Sequence, residues 1–141
     1  MPHNGPITLD ANIILRHLVR DEPDLTANAD AILATAQRGE RDLLCDPVTL
    51  AEIVYVLKGV YHWPAHKITL ALMRVLALDH VLMPDKSRYQ LALKLMLGPA
   101  PHCGDACCCA AAIFDCGGLL YSFDRDLSRV PEIDRREEPV A

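Results

Sequence analysis

Pro6-Ile7-Thr8-Leu9-Asp10-Ala11-Asn12-Ile13-Ile14-Leu15 decides the architecture. Pro6 to Leu9 reads as a strand that Asp10 closes, and Asn12 to Val19 reads as a short helix. A strand feeding a helix opens a strand–helix–strand unit. Repeating that unit gives a parallel sheet covered on both faces.

The rest of the chain supplies the repetition. Leu25, Ala29, Ile32, Leu33 and Ala36 follow helical spacing, and Gly39 stops that helix. Asp42 to Cys45 is a second short strand. Asp46-Pro47 then gives a helix cap followed by proline at the first helical position, and this helix runs to Val60. Its apolar residues lie on nearly every face: Leu50, Ile53, Val54 and Leu57 on one side, Val48, Tyr55 and Val56 on the other. It is therefore expected to be largely buried, with Glu52 as a lone charge in need of a partner. A helix from Pro64 to about Leu78 leads to a third strand, His80 to Met83. Pro84-Asp85 start a helix ending near Gly98-Pro99, and a loop runs on to Cys103. Gly104-Asp105 open a Cys/Ala-rich helix that Gly117-Gly118 end, and Leu119 to Phe123 is a fourth strand.

A length of 141 residues sets one domain as the default, placed over residues 1–131. Beyond Pro131 the chain turns polar, and residues 132–141 are expected to be a tail, mobile or completed by a partner. A hydrophobic share of 51% suffices for a core and is too high for disorder. No charge-free apolar run approaches the ~18 residues of a membrane span. The start, Met1-Pro2-His3-Asn4, lacks the basic and apolar regions of a signal peptide, so a cytoplasmic location is expected. A formal net charge of −5 argues against an extended nucleic-acid surface. It leaves room for a local one, because Arg16, Arg20, Arg125 and Arg129 lie close in sequence to the acidic points below.

Five of the six cysteines crowd between Cys103 and Cys116, three of them consecutive. Consecutive helical residues point in different directions, which argues against a disulfide framework, and no zinc-finger spacing is present. Cys107, Cys108 and Cys109 are expected to act as small buried hydrophobes, with a redox or soft-metal role as the alternative.

Four carboxylates carry the chemistry: Asp10, Glu52, Asp105 and Asp124. Each stands where a strand ends or a helix begins, and in an open α/β sheet those points meet at one crevice. Taken singly, each has an ordinary reading. Asp10 and Asp105 fit helix caps, Thr49-Leu50-Ala51-Glu52 has capping-box spacing, and Asp124 fits turn chemistry. Taken together, converging acids would repel one another without a divalent cation, which points to a site of hard oxygen ligands for one or two Mg²⁺. If Asp10 and Asp124 closed neighbouring parallel strands, their tips would lie ~5 Å apart. Asn12 and Ser122 stand nearby as hydrogen-bonding residues for such a site or as plain turn and strand residues. Asp115 lies roughly 15 Å along the helix from Asp105, too far to join it, and Asp126 reads as a turn residue.

In these segments the chain resembles the PIN-domain ribonucleases, and more narrowly the VapC toxins of VapBC toxin–antitoxin pairs. The matching stretches are Leu9-Asp10-Ala11-Asn12-Ile13-Ile14-Leu15-Arg16, Thr49 to Leu57, Gly104-Asp105-Ala106 and Ser122-Phe123-Asp124-Arg125-Asp126-Leu127. The resemblance runs from Ile7 to about Val130. It implies a three-layer α/β/α sandwich with a central, mostly parallel sheet. It also implies a Mg²⁺- or Mn²⁺-dependent endoribonuclease whose metal is held by Asp10, Glu52, Asp105 and Asp124. Asn12 would match the polar position near the first acid, and Ser122 stands where such proteins often carry threonine. A homodimer and a VapB-like antitoxin are implied as partners, with RNA as substrate. A housekeeping PIN nuclease and a catalytically silent PIN-fold binding module are the alternatives. A response-regulator receiver would want adjacent acids after the first strand and a late lysine, and a haloacid-dehalogenase-type phosphatase would want Asp-x-Asp. Asp10-Ala11-Asn12 offers neither pattern.

Overall fold

A computed structural model describes residues 3–141; Met1 and Pro2, half of the start read against a signal peptide, lie outside the described residues. The elements are β1 (Ile7–Thr8), α1 (Ala11–Val19), α2 (Pro23–Gln37), β2 (Leu43–Leu44), α3 (Pro47–Gly59) and α4 (Ala65–Leu76). They continue with β3 (Val81–Leu82), α5 (Lys86–Met96), α6 (Cys103–Asp115), β4 (Leu119–Tyr121), a 3-10 turn (Arg125–Arg129) and β5 (Asp134–Arg136). Among the described residues no helix is long and apolar enough to cross a membrane.

All strand pairs are parallel, as the alternation of strands and helices requires. Ile7, Leu43 and Val81 stand in register across β1–β2–β3, and Thr8, Leu44 and Leu82 form the next row. The ladder extends past the strands: Leu9 N–H donates to Leu44 C=O at 2.8 Å, and Cys45 N–H to Leu82 C=O at 2.8 Å. Helices cover the sheet in a three-layer α/β/α arrangement: α1 packs on α2 and α3, α3 on α4 and α6, and α5 between α4 and α6. Leu43, Ile53, Leu57, Ile68, Leu72 and Val81 are almost wholly buried between them. Thr69 is buried too, and its hydroxyl is satisfied by donating to Ala65 C=O at 2.9 Å.

Three expectations need correcting. First, the sheet comes in two pieces. β4 pairs with β5, and among the described residues no ladder joins β1 to β4. Ile7 of β1 and Leu119 and Tyr121 of β4 are exposed. The neighbouring-strand condition that would set the tips of Asp10 and Asp124 ~5 Å apart is therefore not met.

Second, the expected tail is built into the fold. Asp134–Arg136 forms β5, with Leu119 opposite Asp134 and Tyr121 opposite Arg136. Its strand has no apolar alternation to announce it. It is held by polar bonds: Arg135 donates to Ser122 C=O at 2.9 Å and to Ser128 Oγ at 2.8 Å, and Val140 N–H donates to Tyr121 Oη at 2.8 Å. Gly118 makes the junction possible. It has φ +86, and a Cβ there would sit 2.1 Å from the Glu132 carbonyl oxygen.

Third, α3 is buried on one face only. Leu50, Ile53, Val54 and Leu57 enter the core, whereas Val48 and Tyr55 are 77% and 76% exposed. Their face opens onto an apolar groove of about 540 Å³ between α3 and the first turn of α6, with Ile68 of α4 and Tyr89 and Met96 of α5 on its walls. An apolar residue on a second helix face need not be covered, because single exposed hydrophobes are common at protein surfaces.

Candidate active site

The parallel strands fix where the four acids lie. Asp10 follows β1 at the start of α1; Glu52 lies in the second turn of α3, after β2. Asp105 is the third residue of α6, and Asp124 follows β4 at the start of the 3-10 turn. All four thus stand beyond strand C-termini or near the helix N-termini of the fold. A chain of packed elements links them in the same order: α1 on α3, α3 on α6, α6 on β4.

The competing cap readings separate cleanly. Asp10 occupies the cap position of α1, yet its side chain accepts no capping hydrogen bond. The cap of α3 is Asp46, whose carboxylate accepts from Val48 N–H at 2.8 Å. Glu52 is therefore six residues from the cap, and the capping-box reading through Thr49 falls. α6 starts after His102, so Asp105 sits inside its first turn, where the helix dipole favours a carboxylate without a specific bond. Asp124 alone realises its ordinary reading: one carboxylate oxygen accepts from Asp126 N–H at 2.9 Å, and Ser122 Oγ accepts from Asp124 N–H at 3.0 Å. Ser122 thus shapes the turn that holds Asp124. Asn12 is exposed in the first turn of α1.

Among the described residues, none of the four acids is in an ion pair, whereas nine other carboxylates pair with an arginine, from Asp21 to Glu137. The nearby cations are engaged elsewhere. Arg16 reaches Asp21 at 3.0 Å and Glu22 at 3.4 Å, and Arg20 grips Asp30 at 2.9 Å beside His17. Arg20, and then His17, hold the Asp30 carboxyl below its ordinary range. Arg129 lies 3.4 Å from Asp126, and Asp115 pairs with Arg88 at 3.0 Å. Arg125 is exposed and makes no ion pair among the described residues.

Four unpaired carboxylates, each past a strand end or near a helix start, suit a hard divalent cation by donor chemistry. Glu52 is exposed, so the argument from a buried glutamate does not apply. Among the described residues no group of three or more Asp, Glu, His or Cys side chains comes close enough to share one ion. The fold thus supplies ligands of the right type but does not gather them into one coordination sphere.

The cysteines divide in a way their run of identical letters conceals. Cys109 is buried and Cys108 exposed, which corrects the expectation that all three would be interior. Cys103 and Cys107, four residues apart, both face the apolar groove. Interaction between the two thiols lowers the pKa of Cys103 and raises that of Cys107. Burial pushes Cys45 up to about 11. The Cys103–Cys107 pair was not singled out from sequence, although its one-turn spacing is legible there.

The elements together make a parallel α/β domain with helices on both faces of its sheet. Comparison with known families matches residues 7–133 to the PIN domain. The chain belongs to the PIN domain family, whose members are generally nucleases. No curated protein matches the chain.

Proposed function

We propose that this PIN domain is a Mg²⁺- or Mn²⁺-dependent endoribonuclease and the toxin of a type II toxin–antitoxin pair. One observation carries the reading: Asp10, Glu52, Asp105 and Asp124 each stand past a strand end or near a helix start and have no ion-pair partner among the described residues. Asp10, Glu52 and Asp105 also have no capping bond to explain them. A divalent ion held there would supply Lewis acidity and a water acidic enough to attack phosphorus near neutral pH. The chain's own part is to hold and orient. Asp10 is fixed by the β1–α1 junction, Asp105 by the first turn of α6, and Asp124 by its bond to Asp126 and the Ser122 hydroxyl.

The partners follow from the same reading. RNA supplies the phosphodiester, and Arg125, which follows Asp124 and makes no ion pair among the described residues, is a cation placed to meet it. The apolar groove beside α3 suits an apolar segment of a VapB-like antitoxin, and a second copy of the chain completes a homodimer. A housekeeping nuclease without an antitoxin remains the second reading, because the four acids serve both.

Thermal unfolding with increasing Mn²⁺ tests the centre without knowledge of the substrate. Wild type should rise in Tm with concentration as ligand linkage requires, and the Asp10→Asn/Asp105→Asn double variant should not. Expression without an antitoxin should arrest growth in wild type and not in Asp10→Asn. Equal toxicity of the two, or cleavage of RNA by the double variant, would sink the proposal.

A further inference from the structure

The dithiol at the start of α6 is absorbed by none of this chemistry. Cys103 is the first residue of the helix and Cys107 lies one turn on, so their side chains stack on one face. Both are half-buried, and both line the groove of about 540 Å³, which gives a small solute access to either sulfur. Asp105, between them in sequence, points to the opposite side of the helix, because two residues advance it by about 200°. Accordingly Gly104 lines the groove and Asp105 does not.

We infer that Cys103 and Cys107 form an oxidation site, closed to an intrahelical disulfide by a hydroperoxide, whose closure unwinds the first turn of α6. The chemistry balances with hydrogen peroxide as oxidant. One sulfur attacks a peroxide oxygen, the O–O bond breaks, and a sulfenic acid and one water result. The second sulfur attacks the first, the S–O bond breaks, the S–S bond forms and a second water leaves. Two thiols lose two protons and two electrons, and H₂O₂ becomes two waters.

The mechanical consequence follows from helix dimensions. Residues four apart on a helix hold their Cβ atoms about 5–6 Å apart, whereas a disulfide needs about 3.5–4.5 Å. The turn must therefore distort. It is a turn that distorts cheaply, since the first amides of a helix have few intrahelical bonds to lose. The bond from Ala106 N–H to His102 C=O, at 2.9 Å, is the one most exposed to loss. Gly104 gives the backbone further freedom, and a side chain there would meet nothing within 4 Å, so lack of room does not explain the glycine. Closure would swing Asp105 by moving the backbone that carries it. That last effect matters for activity only if the proposed metal site holds.

The experiment uses the full chain. Reduced wild type treated with stoichiometric hydrogen peroxide should lose two mass units, then take up two alkyl groups fewer than the untreated protein, and yield a peptide linked Cys103–Cys107 that dithiothreitol reopens. The Cys108→Ser/Cys116→Ser variant should behave identically. Cys107→Ser should stop at a sulfenic acid on Cys103 that dimedone captures. Hydrogen exchange at Ala106 and Cys107 should accelerate at least tenfold on oxidation. Oxidation that settles on Cys108 or Cys116 with Cys103 and Cys107 both alkylated would overturn the inference, as would a linked peptide with unchanged exchange. Mn²⁺ stabilisation keeps the two readings apart. A response in reduced protein that is lost on oxidation supports the coupling, and a response equal in both forms refutes it. If neither form responds, the metal site fails, while mass and exchange still decide the disulfide.

Discussion

The two sheets are held together by opposite means. In β1–β2–β3 the two strands β2 and β3 are apolar and largely enclosed: Leu43 and Val81 stand in register and are almost wholly buried. In β4–β5 every second residue of β4 faces solvent, and β5 is Asp134-Arg135-Arg136. Burial stabilises the first, at roughly 25 cal/mol per Å² of apolar surface. The second rests on hydrogen bonds from Arg135 and on the backbone ladder, whose net worth is about 1 kcal/mol per bond. One parallel fold therefore contains a rigid half and a half held by polar bonds, and the acids Asp10 and Asp124 belong to different halves.

That contrast can be broken from either side. Leu43→Ala should do the most damage, costing about 2–5 kcal/mol through lost transfer energy and a cavity, measured by urea unfolding. Gly118→Val should cost about 1–3 kcal/mol in backbone strain alone and add the collision with Glu132. Its damage should appear as faster amide exchange in β4 and β5 with β2 and β3 unaffected. Arg135→Ala removes bonds to Ser122 and Ser128 and should cost about 1–2 kcal/mol, with the same selective loss of protection. An equal loss of protection in both sheets would show that they unfold as one unit and would dissolve the comparison.

Acid should give the smallest effect. Arg136 holds the Asp134 carboxyl below its ordinary range. A depressed folded pKa contributes stability that is full above the unfolded value of about 3.9 and disappears as pH falls through the lower folded value. Amide protection in β5 should weaken across that acidic window, less so in Asp134→Asn, while protection around Leu43 should hold until global unfolding.

The same contrast decides what the sequence disclosed. Strands made of Ile, Leu and Val between helices are legible because burial demands apolar residues at fixed spacing. β1, β2, β3 and β4 were accordingly expected, each trimmed by a residue or two. β5 was hidden because polar bonds from one arginine to Ser122 and Ser128 impose no periodic pattern. The exposed face of α3 was misread for the converse reason: Val48 and Tyr55 are apolar, and composition cannot say whether a surface is covered. At the candidate site, the acids were visible as isolated charges at the ends of apolar runs. What remained hidden was the hydrogen bonding that leaves Asp10, Glu52 and Asp105 without a capping bond and ties one oxygen of Asp124 to a turn. Nor does a sequence reveal the gap in the ladder between β1 and β4, because pairing across a sheet is set by long-range packing.

The brevity of β1 has a consequence for solubility. A strand edge without a neighbour offers backbone donors and acceptors to any passing chain, and long flat edges of that kind nucleate aggregation. β1 spans two residues, Ile7 and Thr8. Docking against so short a template yields only a bond or two. Colliding molecules therefore gain too little to stay joined, and the open edge can persist in a crowded solution without seeding fibres.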